Sequence, residues 1–537
     1  MPLQKVLTAI SGYALPSYTF TRSSSGYQVD ADGVLRLKST DQLRIDYLDL
    51  DNDGERETPS IVVELASTNK FTRSIEFSHA DWLKVASTAN ANVGAAPDLS
   101  TQADLFMPTT ASSRHYIYQS VSVAASTDHA MSVYCSPAGY NFLGLRVENG
   151  AGTVAAEALF ELSSSGAVAD STTQGSGTHR RSHIERIRAG VYRATLVASI
   201  STSTAATCRI GVSQTSSQIT AAWAGAGTSG GLGILLWGAQ LEESMPAETS
   251  LIATSAATLS RAADTLYIPF PYTPREMTVY VKFIERKTSG IVNGNLVTIG
   301  TATLPRFLLN DGGAGVYRTY HDNGVGSIVT SSVATGAAYG DAVEFCGILY
   351  GDGSVSSLQS LNAGAEEAGI RSAGAGLAAA WNQQRLYIGS EAGSNTGMNR
   401  FLTVKVAEGV QSMAYMRSLA PFFVIDGIAI PVADGSVRED RVEIGDRERT
   451  FDGTLRETIR GQYSVWQAET VPLTIGDRNR VAQALEKSTQ PHTSYGAMTR
   501  TSTGLLPQIF TRKTGEALVQ SSTDRRYSLA FTIEQSS

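Results

Sequence analysis

The chain has 537 residues, 42% hydrophobic and 17% charged, with a formal net charge of −7. That length exceeds a single ordinary core and points to about three to four domains. Lys and Arg form no block, so nucleic acid is not expected as a partner, and no run of about 18 apolar residues exists to span a membrane as a helix.

The 50 glycines and abundant Ser, Thr and Ala suit an all-β protein with many turns. Cys135, Cys208 and Cys346 are isolated and odd in number, so neither a disulfide framework nor a zinc site is read from them. The N-terminal MPLQKVLTAISGYALPSYTF has no long apolar stretch after Lys5, and a signal peptide is not expected.

Residues 1–60 read as a lead-in segment with a hairpin about Asp49-Leu-Asp-Asn-Asp-Gly54. Asp49, Asp51 and Asp53 before a glycine make the first half of a calcium loop, with oxygen ligands at alternate positions. The twelfth position holds Ser60 instead of a bidentate acid, and no helix precedes the loop. An acidic turn between Ile45-Asp-Tyr47 and Ile61-Val-Val-Glu64 is the competing reading, so Ca2+ stays as one alternative and no other cofactor is expected.

Residues 61–250 show period-two alternation at Tyr116–Val123, Met131–Tyr134 and Tyr192–Val197, the pattern of half-buried antiparallel strands. His179-Arg-Arg-Ser-His183 reads as a solvated basic edge at a strand end. Gly225-Ala-Gly-Thr-Ser-Gly230 matches a dinucleotide fingerprint in letters only, because a strand follows it where a helix is required. The next segment, Ile234 to Asp264, runs ILLWGAQLEESMPAETSLIATSAATLSRAAD. An apolar strand bearing Trp237, expected in the core, passes through a polar linker into Ser-Arg-Ala-Ala-Asp.

This junction resembles one in tailed-bacteriophage virion surface proteins, where a jelly roll like those of carbohydrate-binding modules hands over to a sandwich of the laminin-G or concanavalin type. The TN…EF…W opening from Thr68 to Trp82 and the Gly190-Val-Tyr-Arg193 strand are similar to such modules. Residues 265–420, ending LYIGSEAG…MNRFLTVKVAEGVQSMAYMRSL, resemble the second type. The fold class expected is therefore all-β: tandem antiparallel sandwiches plus a small C-terminal β-rich domain over 421–537. About a quarter of residues beyond Pro421 are charged, which marks a separate folded unit. One short helix is expected there, at Asp477–Lys487. The last domain looks like small phage tail and baseplate β-domains, which implies docking to other virion subunits; Phe422, Phe423, Phe451 and Trp466 are its candidate contact residues.

The resemblance implies a fibre, spike or tail-associated subunit on the virion surface, adhering to a host-surface glycan and forming homo-oligomers, trimers among them. A decoration protein that stabilises the particle is the alternative, and a glycan-degrading depolymerase a lesser one. Sugar sites need an aromatic plane beside polar side chains. Trp82, Trp223, Trp381 and Asn382 are the candidates on that ground. No catalytic residues are expected: the sequence has no nucleophile elbow, no HExxH and no carboxylates at glycosidase spacing on one strand. Glu366-Glu367, adjacent in the second sandwich, would point to opposite faces of a strand.

Overall fold

A computed structural model describes residues 18–417 with side chains, apart from 51–55, 57, 164–165, 217–223, 228–229, 246, 271–275, 287–293, 301–304, 312–315, 325–327, 335, 378–384, 391–397 and the side chains of 224–226 and 415. Outside that span it describes the backbone of Val6–Ser11, of Ser418 and of the strands between Phe422 and Gln535. The candidates Asp51, Asp53, Trp223, Trp381, Asn382 and Phe451, and the expected helix at Asp477–Lys487, lie outside the described residues.

The fold is all-β, and the alternating segments form strands. The first sandwich packs two six-stranded antiparallel sheets. One runs Thr178–Arg188, Val191–Ser199, Asp128–Ala138, Gly233–Glu243, Ala103–Pro108, Ser87–Gly94. The other runs Ala167–Gln174, Ala155–Glu161, Phe142–Asn149, Ala205–Ser213, Tyr116–Ser122, Leu83–Val85. Inward positions alternate as the pleat requires: Leu143, Leu145 and Val147 meet Met131, Val133 and Cys135 in one apolar core.

The N-terminal segment is not a separate lead-in hairpin. Val6–Ser11, Arg44–Leu48 and Thr58–Val62 belong to an eight-stranded sheet with Met277–Ile284, Ala342–Leu349 and Arg400–Glu408. Thr19–Thr21 likewise edges the facing seven-stranded sheet, beside Thr265–Pro269. The second sandwich is thus assembled from both sides of the first in sequence, and the first is inserted within it. The expected hairpin around Asp49 is present as Arg44–Leu48 paired with Thr58–Val62. The one helix among the described residues is Met413–Ser418, whose Met413 and Met416 pack on Tyr280 and Cys346. Beyond it, Phe422–Ile425 pairs with Ile428–Pro431, and five further strands form one sheet. Phe422 and Phe423 lie in that first hairpin, and Trp466 sits on Leu455–Glu469 between Glu439 and Ile533.

Trp82 corrects one expectation. It is 1% exposed, packed between Phe71 and Phe77 at 5.2 and 4.9 Å, and its indole Nε1 donates to the Arg73 carbonyl at 2.9 Å. A ring enclosed in this way closes the end of the core and offers no plane to a ligand. Trp82→Phe is expected to cost about 1–2 kcal/mol through the lost hydrogen bond and reduced volume, read as a lower urea midpoint.

Trp237 is buried as expected, but in a smaller core. Tyr27 and Tyr134 meet its ring edgewise at 6.1 and 5.9 Å, and Val29 and Leu35 of the hairpin Gly26–Val29/Leu35–Lys38 share the cluster. The next residue, Gly238, has φ of 63° at a β-bulge where two steps of the Asp128–Ala138 strand oppose three. A Cβ there would stand 3.1 Å from Leu251 and Tyr134, so both conformation and space call for glycine. The bulge sets Gln240 and Glu242 on the face turned toward the linker.

Candidate functional site

Met245 and residues 247–254 and 261–264 of the linker lie in a largely buried polar seam between the sandwiches, while residues 255–260 are exposed. Asn69 fixes its start: the side-chain amide donates to the carbonyls of Ala239 and Ile252 at 2.9 and 2.8 Å and accepts from Leu241 N at 3.1 Å. Gln240 accepts from Ile252 N at 2.6 Å. Glu242 accepts from Ser67 Oγ, Thr249 Oγ1 and Thr249 N at 2.5, 2.5 and 2.8 Å.

At the end of the linker, Arg261 and Asp264 join Arg22, Arg44, Glu64 and Arg400, all at most 3% exposed. Glu64 receives Arg44 at 2.8 Å, Arg400 at 3.2 Å and Arg261 at 3.3 Å. Asp264 receives Arg44 and, at 3.5 Å, Arg22; its carboxylate also takes the Glu64 backbone N–H at 2.9 Å. Midway, Glu248 bridges the two bodies, bonding Arg181 of the first at 2.7 Å and Arg286 of the second at 2.6 Å. The Arg181 guanidinium lies 3.6 Å over the Tyr339 ring, which also packs on His183. The His179–His183 segment is therefore not a solvated edge: two of its side chains face the second sandwich.

Burial opposes ionisation of these acids, but the guanidiniums outweigh it. Arg44, Arg261 and Arg400 hold Glu64 well below the usual carboxylate range, and Arg181 and Arg286 do the same for Glu248. Glu185, beside Arg56 at 2.7 Å, is lowered to about 2 against the same desolvation. Groups with depressed folded values stabilise above the unfolded carboxyl value and lose that contribution as pH falls. The thermal midpoint should therefore hold from pH 7 to about 5 and fall from about 4.5 toward 2. Glu242 works in the opposite sense, because burial raises its value, and reduces the loss. A midpoint unchanged down to pH 3 would contradict the ion pairing.

Each sandwich also carries a tyrosine–arginine cluster on its outer face. On the first, Ile117 points into the core, so Tyr116 and Tyr118 point out; both are partly exposed, with ring centroids 5.9 Å apart. Arg209 lies 4.6 Å over Tyr116 and is ion-paired to Glu148. Arg146 continues the line, bonding Glu148 at 2.7 Å, Glu157 at 2.8 Å and Gln174 at 2.6 Å. Register places Tyr118 opposite Arg209, and Tyr116 in the row of Gly211 and Gly144, whose missing side chains leave room beside the ring. Leu83, 51% exposed, borders Tyr118 on the other side.

On the second sandwich, register aligns Tyr267, Tyr387, Thr298, Leu308 and Tyr320 in one row across five strands; Tyr387, Thr298 and Leu308 are buried, and Tyr267 and Tyr320 are partly exposed. Arg385 is exposed, 4.4 Å over Tyr267, and donates to Tyr387 Oη at 3.4 Å. Arg318 donates to Tyr320 Oη at 3.2 Å.

Sequence reasoning missed both clusters. Tyr116-Ile-Tyr118 and Arg385-Leu-Tyr387 do carry a signal, since residues two apart share a strand face opposite an aliphatic partner. Of the expected sugar residues, Trp82 is core. Of the expected calcium ligands, Asp49 alone is described, and no group of three or more metal-ligating side chains occurs among the described residues. Glu366 and Glu367 stand on an exposed edge strand, Glu366 bonded to Arg417 at 3.0 Å. Among the described residues, no helix is long and apolar enough to cross a membrane.

These features define a class: a tandem antiparallel β-sandwich protein with a buried ionic seam and tyrosine–arginine outer faces. No family profile matches the chain, and no curated protein does. Among solved structures it is similar to mouse laminin alpha1 chain domains LG4-5, at 9% identity and TM-score 0.21, covering 56% of this chain and 90% of that one. It is similar also to the botulinum neurotoxin serotype D binding domain, at 8% identity and TM-score 0.23, covering 51% and 81%. For the LG1-3 region of the laminin alpha2 chain the values are 10%, 0.19, 78% and 91%.

Proposed function

We propose that this chain is a structural protein of a tailed-phage virion, a fibre, spike or tail-associated subunit that adheres to a host-surface glycan. The observation that carries the adhesive reading is the outer face at Tyr118. A partly exposed phenol plane stands beside Arg209, which Tyr116 and Glu148 hold from two sides. A pyranose ring stacks on such a plane, and the guanidinium donates to its hydroxyls. The Tyr267–Arg385 cluster repeats this chemistry on the second sandwich. Two weak faces on one rigid unit raise apparent affinity, and more copies on a particle raise it further.

The virion reading rests on the junction. Its resemblance to phage proteins falls on Gln240, Glu242, Arg261 and Asp264, the side chains that build the seam, so what is alike is an architecture. The C-terminal unit, with Phe422, Phe423, Phe451 and Trp466 as its candidate contacts, would dock to neighbouring virion subunits. The reading is of a binder and not a catalyst: Glu148 and Glu157, the paired acids of the face, are both bonded to Arg146.

Gold-labelled antibody against the chain, imaged by electron microscopy on phage particles, tests the location. Label at the tail tip or on fibres in a few to a few dozen copies supports the reading. Hundreds of copies over the head would make it a decoration protein, and unlabelled particles would overturn the virion assignment.

A further inference from the structure

A small cleft in the seam is lined by Arg193, Arg286 and Arg400, with Asp46, Glu185 and Ser250, and has room for roughly one water-sized species. The arginines are 4%, 6% and 3% exposed, and each has a buried Nε–H with no hydrogen-bond partner among the described residues. Their charge is also incompletely matched. Arg400 takes Asp46 at 3.1 Å, Glu185 is engaged by Arg56, and Glu248 is shared between Arg181 and Arg286. That leaves Arg193 without an ion-paired carboxylate among the described residues: it donates to Ser132 Oγ at 3.0 Å and the Thr249 carbonyl at 2.6 Å. Three arginines (193, 286 and 400) and two carboxylates (Asp46 and Glu185) line the cleft, an excess of one positive charge. A buried charge without a counter-charge is strongly disfavoured.

We propose that this cleft binds one chloride-sized inorganic anion that joins the two sandwiches. Arg193 comes from the first body, Arg286 and Arg400 from the second, and Ser250 from the linker. The positive charge of the lining favours an anion over water. Bound only in the folded, joined state, the ion stabilises that state by mass action.

The test uses the full chain crystallised from sodium bromide, with anomalous diffraction above the bromine edge. In parallel, melting is followed in sodium chloride and in sodium gluconate at equal ionic strength. The expected result is an anomalous peak among Arg193, Arg286 and Arg400, with a midpoint that rises with chloride and not with gluconate. Arg193→Met, which removes the unmatched charge at similar volume, should abolish the chloride dependence; if this variant does not fold, the wild-type bromide map decides alone. A cleft without anomalous signal, or equal midpoints in both salts, would overturn the proposal.

Discussion

Glu64→Ala is expected to destabilise the chain by about 3–5 kcal/mol, because removing one member of a buried ion network leaves its partners uncompensated. Three guanidiniums, from Arg44, Arg261 and Arg400, converge on this carboxylate, and Ser250 donates to it from both backbone and side chain at 3.0 and 2.9 Å. Glu64 is fully buried, so its removal leaves buried donors without their acceptor. Glu64→Gln keeps the shape and some acceptor capacity but loses the charge, so it should fall between the wild type and the alanine variant. Urea unfolding followed by tryptophan fluorescence measures both. Because the seam couples the sandwiches, Glu64→Ala should also broaden or split a transition that is single in the wild type. A loss below about 1 kcal/mol would mean the pair behaves like an exposed one.

The second large effect concerns binding. Tyr118→Ala removes the phenol plane, and Tyr116→Ala removes the ring on which Arg209 rests. Each is expected to weaken attachment to host cells on the order of tenfold, since about 1–1.5 kcal/mol per stacked aromatic corresponds to that ratio. The urea midpoint should hardly move, because both rings stand on the outer face of their sheet. Trp82→Phe reverses the pattern, lowering stability and leaving attachment unchanged. Surface plasmon resonance on immobilised host-envelope polysaccharide separates the three. Equal binding by the wild type and Tyr118→Ala would remove this face from the account.

Local pattern made the strands legible. Tyr116–Ser122 and Met277–Ile284 alternate because one face is buried, and a period of two can be read without a partner. Pairing was not legible: Val6–Ser11 lies against Arg400–Glu408, and nothing in either segment names the other. That is why the N-terminal 60 residues read as a unit of their own. The seam was hidden for another reason. Arg261, Asp264 and Glu64 are charged, and charge ordinarily marks the surface, so only their tertiary pairing shows them to be interior. Trp237 was placed correctly because its strand is apolar. Trp82 is legible as core only with Phe71 and Phe77, the aromatic neighbours that enclose it in the fold. Tyr116 and Tyr118 were passed over because tyrosine in an alternating strand reads as packing until its facing residue is known to be solvent.

The most direct test is a glycan array probed with the purified wild-type chain. Retention of a discrete class of bacterial surface oligosaccharides, reproducible in physiological salt, is the predicted result. An array on which no oligosaccharide is retained, from a preparation that melts cooperatively, would contradict the adhesive function.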